Sequence, residues 1–364
     1  MSSSAVGRVV PTRRRALGQG ALPGKGSPGW RSRAERLGAA LPRSRLHPAV
    51  LAWADARPAR EPWAVAFSGG ADSLALLLLL WVHWPRRRRR LRVLHFNHRL
   101  RGAAAAGDAR FCRQVCRALG VAFLGGDWQD APAAASAAGA RAARFEFFGR
   151  AMRARRTRVL WLGHHQDDIA ESILMRLARG SGAGGLAAPR PVQASAGRRS
   201  HVRPLLTLEK SAIVAVLRAA GIPWREDASN AGDDHFRNRL RRSVLPAWRR
   251  AARRDALAGA ARSRELLEED DEALDAWVDA LRQLTARSEL ALNRLAGRPR
   301  AVARRALHRW LLRQPAAGEL SRFGFEALLA AVVAGRPTRQ SLGAQGFAVI
   351  RGRRLTFERT GRHT

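Results

Sequence analysis

A glycine-rich turn between an apolar strand and an apolar helix limits the folds open to this chain. Residues 64–67 form a short apolar run typical of a buried parallel strand, and residues 74–82 are predicted to form a helix. The turn that joins them has the sequence Ser68-Gly69-Gly70-Ala71-Asp72-Ser73. Glycine permits a tight turn close to an anion, and the free N–H groups at a helix start attract phosphate. No Gly-x-x-x-x-Gly-Lys-Ser/Thr sequence is present, so the turn is predicted to be a phosphate loop of another kind.

Strands and helices alternate between residues 63 and 245. Further strands are predicted over residues 92–97, 121–124 and 159–163, and helices over 108–119, 133–156 and 168–179. This order predicts an α/β fold in which helices cover both faces of a parallel sheet. Ligands of such sheets bind at the carboxyl ends of the strands, where Ser68, Asn97 and His164 are expected.

Composition divides the chain into three regions. Residues 1–45 are rich in Arg, Gly, Ser and Pro and are predicted to be a disordered basic extension: a basic tail, a transit peptide or an over-extended gene start. Residues 46–250 are predicted to form the nucleotide-binding domain. Residues 251–364 are predicted to form a smaller, mainly helical domain that ends in a hairpin turning at Gly352-Arg353. The acidic stretch 265–275 is expected to be a solvated helix face.

The charge and the cysteines limit the partners and the compartment. The formal charge is +37, but all but two of the 66 basic residues are arginine and tyrosine is absent. A G/C-biased gene produces this pattern, so the charge is weak evidence for a nucleic acid partner.

Cys112 and Cys116 lie one helical turn apart on an apolar face and are predicted to be reduced core residues of a cytoplasmic protein. The apolar runs are too short to span a membrane.

Acidic and imidazole groups follow the fourth strand. Asp168 and Glu171 are three residues apart and project from the same region of a helix start, where they could bind a cation or cap the helix. His164 and His165 precede them at the strand end. Further along, the sequence around Asn238 contains a dense arginine cluster, whose guanidinium groups suit phosphate. Its members are Arg237, Arg239, Arg241 and Arg242.

Four ordered motifs resemble the tRNA(Ile)-lysidine synthetases of the ATP pyrophosphatase (PP-loop) superfamily. They are S-G-G-A-D-S with H-F-N-H-R-L-R, A-R-A-A-R-F-E-F-F, H-H-Q-D-D-I-A-E-S with R-G-S-G-A-G-G-L, and E-D-A-S-N with R-N-R-L-R. The resemblance covers residues 60–250 well and is weaker beyond them. It implies that the chain ligates lysine to C2 of the wobble cytidine of a tRNA(Ile) with a CAU anticodon. ATP adenylates the base, and pyrophosphate and AMP are released.

The resemblance also implies roles for individual residues. The loop, Ser68 through Ser73 with Gly69, Gly70 and Ala71, would hold pyrophosphate, and Asp72 would hold Mg²⁺. Asp168 and Glu171 would recognise the lysine ammonium, and Arg141 would be an active-site arginine. A nearby carboxylate or a histidine could accept the lysine proton, and His164 and His165 are both candidates. The tRNA-binding or site-shaping candidates are Arg237, Asn238 and Arg241, and residues 251–364 would bind tRNA. A homodimer is left open.

The chain departs from the family pattern at four positions. They are Ile169 for Gln, Ser172 for Thr, Ala137 for Glu and Phe145 for Tyr. Three other functions are weighed against lysidine formation. A tRNA thiolation enzyme would need reactive cysteines, an amidotransferase or ligase of small molecules would need another module, and an RNA-binding protein without catalysis would need only the basic charge.

Overall fold

The structure is a computed structural model that describes residues 29–360, except 100–102, 130–131, 133–135, 196–197, 227–235, 282–288 and 316–319. The chain forms two compact units. The first extends to residue 181 and includes 188–264, and the second comprises 182–187 and 265–364. The division therefore falls after the predicted boundary at residue 250, and a short segment of the first region belongs to the second unit.

The first unit contains a six-stranded sheet with helices. Its strands are β1 (Trp63–Ala66), β2 (Leu91–Asn97), β3 (Ala122–Asp127), β4 (Val159–Trp161), β5 (Val192–Ser195) and β6 (Arg199–Val202). Its helices up to β4 are α1 (Trp30–Ala40), α2 (Pro48–Asp55), α3 (Ala71–His83), α4 (Ala103–Leu119) and α5 (Ala137–Ala154). The later ones are α6 (Gln166–Leu177), α8 (Lys210–Ala219), α9 (Phe236–Arg239), a π-helical turn (Leu240–Val244) and α10 (Leu245–Ala251). The remaining short helix, α7 (Ala183–Leu186), belongs to the second unit.

The strand order is β3-β2-β1-β4-β6-β5, with every pair parallel except β5 and β6. Successive residues of a strand point to opposite faces. Trp63 and Val65 therefore join the core with α1, α3, α4 and α8, whereas Ala64 packs with Phe148 and Met152 of α5 on the other face. The predicted α/β fold with covered faces is confirmed. The antiparallel edge strand β5 was not predicted.

The prediction of disorder over residues 1–45 is wrong from residue 29 onward, and residues 1–28 lie outside the described residues. Helix α1 buries Trp30, Ala34, Leu37 and Leu41 in the main core of the unit. These residues recur at the spacing of one helical face, which an average composition over 45 residues conceals. Gly38 lets α1 approach α3 closely, because a Cβ there would lie 2.5 Å from Cγ1 of Val82.

Replacing Leu37 with alanine is expected to destabilise the first unit. Leu37 is fully buried, and truncation of such a residue costs about 2–5 kcal/mol through lost burial and a residual cavity. Urea denaturation of the purified protein measures the loss. Ser32→Ala, at an exposed position of the same helix, is the control and should leave the midpoint unchanged. Equal midpoints for the two variants would contradict the assignment of α1 to the core.

The second unit has its own core and a four-stranded antiparallel sheet of order β7-β10-β9-β8. Its elements after α7 are α11 (Ala256–Ala280, which begins in the first unit), β7 (Leu290–Ala291), α12 (Arg300–Leu311), α13 (Arg322–Ala334), β8 (Thr338–Ser341), β9 (Gly346–Arg351) and β10 (Arg354–Arg359). The predicted hairpin is β9–β10, and its turn residues Gly352 and Arg353 have φ of +53° and +55°. The acidic stretch is not simply solvated, because Asp271 is buried and pairs with Arg305.

Candidate active site

The glycine-rich turn lies between β1 and α3, as predicted. Gly69 has φ of +93°, a conformation that favours glycine, and α3 begins directly after Gly70. The two serine hydroxyls of the turn, Ser68 Oγ and Ser73 Oγ, lie 3.0 Å apart, and Ser73 Oγ donates to the Gly70 carbonyl at 3.1 Å. Ala71 and Asp72 are the first residues of the helix, so the turn presents helix-start N–H groups beside two hydroxyls. This chemistry suits a polyphosphate.

Two close contacts support the turn. A Cβ on Gly163, which follows β4, would lie 3.0 Å from the carbonyl carbon and oxygen of Asp72, so only glycine fits there without a shift. On the other side, the Arg225 N–H donates to the Gly69 carbonyl at 3.0 Å, and Arg225 Nε donates to Asp108 Oδ1 at 2.7 Å. The chain that follows β4 is therefore packed against the backbone at the start of α3.

The carboxylate of Asp72 is paired with Lys210. Lys210 Nζ donates to Asp72 Oδ1 at 2.5 Å and to Oδ2 at 2.6 Å. The backbone N–H of Lys210, the first residue of α8, donates to Asp167 Oδ2 at 2.9 Å. Asp167 therefore caps α8 and fixes the residue whose ammonium reaches the turn.

Asp168 and Glu171 form a buried anionic pair, as their spacing predicts. Their side chains are 8% and 1% exposed. Arg237 binds both carboxylates, with Nη2 2.5 Å from Asp168 Oδ1 and Nε 2.6 Å from Glu171 Oε2. Arg241 also binds both, donating from Nε to Glu171 and from Nη2 to Asp168 Oδ1 at 3.2 Å. The pair therefore binds cationic groups in this structure.

His165 connects the turn to the anionic pair. Its Nε2 lies 3.8 Å from Asp72 Oδ2 and 3.5 Å from Asp168 Oδ2, and its Nδ1 lies 3.3 Å from Asp167 Oδ2. Burial alone would lower the pKa of His165, but the three carboxylates outweigh it and raise that pKa above its ordinary value. Burial also opposes ionisation of Asp168, yet the neighbouring histidines, Arg237 and the His165 N–H hold its pKa well below the usual range.

His164 differs from its neighbour in charge and tautomer. Arg203 Nε donates to His164 Nδ1 at 3.3 Å, so the proton of the neutral ring lies on Nε2. Burial is the main cause that lowers the pKa of His164 to about 3. The positive charges of Arg203, Arg237 and Arg141 act in the same direction, and the negative charge of Asp168 opposes them. Arg203 is itself held by the Arg190 carbonyl at 2.6 Å and by Gln193 Oε1 at 3.1 Å. His164 is therefore a neutral hydrogen-bond donor through Nε2.

Acid is expected to destabilise the protein through His164. Its pKa is 6.5 in the unfolded chain and about 3 in the folded one, so between these values the unfolded chain binds more protons. The free energy of unfolding therefore falls as the pH drops from 6.5, by up to about 1.4 kcal/mol per pH unit for one such group. Urea unfolding from pH 6.5 down to about pH 4.5 gives the slope, and His164→Asn should make it shallower. Equal slopes for the two proteins would contradict the assignment.

The remaining predicted residues are Arg141 and Asn238. Arg141, on α5, stacks its guanidinium 4.7 Å from the ring centroid of Phe145. Desolvation, followed by the charges of Arg237 and Arg176, lowers the pKa of Arg141, which places it in the same positive field. Asn238 is half-buried on α9 between Arg237 and Arg239.

Three of the four departures from the family pattern lie at described side chains, and the structure accommodates them. Ile169 is 1% exposed, so an apolar side chain suits its position. Phe145 packs its ring 5.8 Å from Phe148 and 5.7 Å from His201, and Ser172 is half-buried on α6. The side chain of Ala137 lies outside the described residues, as do residues 227–235, which hold most of the E-D-A-S-N motif.

Sequence reasoning missed three residues of the site: Lys210, Arg203 and Arg225. The sequence did offer one indication for Lys210, because it is one of only two lysines in an arginine-rich chain. The cysteine prediction is confirmed, since Cys112 and Cys116 are buried free thiols in the core. Burial raises the pKa of Cys112 far above its ordinary value and that of Cys116 to about 12.

The described part of the chain contains neither a candidate membrane span nor a cluster of metal ligands. No helix there has both the length and the hydropathy needed to cross a bilayer. Nor does any set of three or more His, Cys, Asp or Glu side chains in the same residues have an arrangement that would hold a metal ion.

Comparisons with known proteins match both the turn and the sheet. A family profile described as a PP-loop domain matches residues 49–248. The tRNA(Ile)-lysidine synthase of Geobacter sulfurreducens is 37% identical over 276 residues, covering 72% of this chain and 56% of that protein. The enzyme of the same name from Solibacter usitatus is 42% identical over 183 residues, covering 50% and 40%. The chain thus spans about half the length of these relatives.

A solved structure has the same fold. The U34-tRNA thiolase NcsA of Methanococcus maripaludis superposes with a TM-score of 0.50 at 16% identity, covering 65% of this chain and 78% of that one. At this identity the likeness concerns the fold alone. The family match covers more than half of the sequence and includes the turn, the sheet and the buried acidic pair. The chain therefore belongs to the PP-loop domain family.

Proposed function

We propose that this protein is an ATP-dependent ligase that joins free lysine to C2 of the wobble cytidine, position 34, of a tRNA(Ile) with the anticodon CAU. One observation carries the proposal: His165 lies between Asp72 of the phosphate-type turn and the buried, cation-binding pair of Asp168 and Glu171. The names of the relatives support lysine and tRNA(Ile) as substrates. We propose a cytoplasmic location for this reaction, which needs both tRNA and free lysine.

The reaction has two steps at the C2 carbonyl of the base, the first at its oxygen and the second at its carbon. In the first, the O2 atom of the cytidine attacks the α-phosphorus of ATP, and pyrophosphate leaves. In the second, the lysine amine attacks C2 of the adenylated base, and AMP leaves. The enzyme must therefore bind a polyphosphate and an ammonium group within a few ångströms of the same base.

The turn holds the departing pyrophosphate. The N–H groups at the start of α3 lie beside the hydroxyls of Ser68 and Ser73, which hydrogen bonds within the turn hold in place. They are fixed before the reaction, so they stabilise charge on the leaving group without reorganisation. Gly163 and Arg225 keep the turn in this shape from either side.

Magnesium fits the site only together with substrate. Mg²⁺ is usually bound through one or two carboxylates plus substrate phosphates. Both Asp72 oxygens are bound by Lys210 in this structure, so Asp72 would hold the ion only after that ammonium has moved to the phosphates. Bound there, the ion would neutralise charge on the phosphates. Asp167 and Asp168 face His165 and the arginines instead, so Asp72 is the residue that would hold it.

The acidic pair is suited to the amine substrate. Asp168 and Glu171 together bind two guanidinium groups, and their burial strengthens any charge-assisted hydrogen bond to an ammonium. Lysine would compete with Arg237 or Arg241 for these oxygens. The arginines, whose side chains are 37% and 38% exposed, can turn toward the tRNA phosphates, which is the role their sequence predicted.

Neither histidine is a ready base for the lysine proton. His165 lies among three carboxylates that favour its protonated form, and His164 presents an N–H rather than a lone pair at Nε2. A carboxylate of the pair is therefore the remaining candidate acceptor, because loss of a neighbouring guanidinium charge to the arriving lysine would raise its proton affinity. His164 would instead donate a hydrogen bond at the site.

Incubation with ATP, Mg²⁺, labelled lysine and CAU-anticodon tRNA transcripts tests the function. Lysine incorporation into the isoleucine transcript, and not into a methionine transcript with the same anticodon, is expected. Release of pyrophosphate without lysine incorporation, or incorporation into both transcripts, would overturn the proposal. Gel filtration with and without tRNA would test for the homodimer.

Sulfur transfer is not favoured, although a tRNA thiolase has the same fold. The chain has two cysteines, and both are buried in the core with thiol pKa values raised by burial. A sulfur carrier needs an accessible thiolate. Incubation with a sulfide donor in place of lysine should leave the tRNA unmodified.

A further inference from the structure

We infer that Lys210 binds the phosphates of ATP, and that Asp72 holds its ammonium at the turn before a nucleotide arrives. The inference rests on the proposed use of ATP, but not on the identity of the base or the amine. No role was predicted for Lys210 from the sequence, and it lies 138 residues from Asp72 in the chain.

The backbone of Lys210 is anchored so that its side chain must act near the turn. It is the first residue of α8, and its N–H is bound by Asp167 Oδ2 at 2.9 Å. Asp167 also contacts His165 Nδ1 at 3.3 Å, so α8 and α6 are joined at the site. With the Cα fixed, the four-carbon side chain carries a mobile charge over a small region that includes the helix start of α3.

The side chain is placed to exchange one anion for another. Its ammonium is shared between the two Asp72 oxygens, which uses two of its three donors. The side chain is 39% exposed, so it is not locked in a desolvated ion pair. The Lys210–Asp72 pair is thus a partly solvated contact of modest strength. A triphosphate in the turn would present more negative charge than one carboxylate, within reach of the same side chain.

The alternative is that Lys210 only orients Asp72. The two roles differ in a double-mutant cycle. If Lys210 acts through Asp72 alone, removing its charge should have no effect once Asp72 is neutral. If it binds phosphate, the effect should persist in the Asp72→Asn protein.

The experiment measures ATP affinity by isothermal titration calorimetry in EDTA, so that no metal contributes. We expect Lys210→Met to weaken ATP binding by roughly 10- to 100-fold, the range for loss of a charge-assisted hydrogen bond. The same loss is expected when the substitution is made in the Asp72→Asn protein. An unchanged affinity in that background would overturn the inference. Inorganic pyrophosphate, used as a second probe, should show the same pattern.

Controls separate this role from folding and from general charge. Arg218→Met removes one positive charge from the far end of the same helix, about 12 Å along its axis, and should leave ATP affinity within about twofold. Lys210→Gln keeps a hydrogen-bond donor to Asp72 but lacks the charge, and it should bind ATP as weakly as Lys210→Met. It replaces Lys210→Met in the experiment if Lys210→Met does not fold. Wild-type affinity in Lys210→Gln would also overturn the inference. Because binding is measured without tRNA or lysine, failure of the proposed function would show in the incorporation assay alone.

Discussion

Asp72→Asn is expected to reduce adenylation of the tRNA by at least about 1,000-fold, or about 4 kcal/mol of transition-state stabilisation. Asp72 supplies a carboxylate at the second position of α3, within the phosphate-type turn. The amide keeps the shape of the side chain but cannot neutralise a magnesium ion at the departing pyrophosphate. Pyrophosphate exchange into ATP in the presence of tRNA measures this step without lysine.

The matched control for Asp72 is Asp55→Asn. Asp55 makes an exposed ion pair with Arg43, so the same chemical change at that residue should leave the exchange rate unchanged. Thermal denaturation of both variants shows whether the turn still folds. If a folded Asp72→Asn protein exchanged pyrophosphate at a rate within about tenfold of wild type, the assignment of Asp72 as the magnesium ligand would be wrong.

Glu171→Gln is expected to raise the KM for lysine by about 30- to 1,000-fold, the range for removing one partner of a buried charge pair. Glu171 is 1% exposed and binds both arginines, so its charge is a buried part of the cation-binding pair. Adenylation uses the turn instead, and the exchange of pyrophosphate should change little. Lysine titrations at saturating ATP and tRNA give KM and kcat separately.

Glu146→Gln is the comparison for Glu171. Glu146 pairs with Arg150 on the exposed side of α5, at 2.6 Å, and the substitution there should not alter lysine use. If Glu171→Gln reduced exchange and lysine incorporation equally, the residue would support the whole site rather than the amine. If the KM for lysine were unchanged, the ammonium assignment would be wrong.

The sequence predicts those parts of the site that depend on local pattern. The turn from Ser68 to Ser73 could be found because glycines and an apolar strand and helix lie next to each other in the chain. Asp168 and Glu171 could be placed on one helix face because three residues make about one turn. The alternation of strands and helices predicts the sheet for the same reason.

Contacts between distant segments could not be predicted in this way. Arg237 and Arg241 were expected to bind tRNA or shape the site, but nothing local identifies their partners as carboxylates 66–73 residues earlier. Lys210 reaches Asp72 only because α8 starts beside the turn, which depends on β6 and β5 extending the sheet. Helix α1 was missed for another reason, since a basic composition concealed an apolar stripe beginning at Trp30.

The near absence of lysine makes the site chemically addressable. The chain has only two lysines, Lys25 and Lys210, and the second has its side chain 39% exposed beside the phosphate turn. An amine-directed label therefore has very few targets in a protein with 66 basic residues, because guanidinium groups do not acylate under the same conditions. A fluorophore or an isotopic methyl group placed on the Lys210 amine would report directly on the turn, without any cysteine having to be engineered.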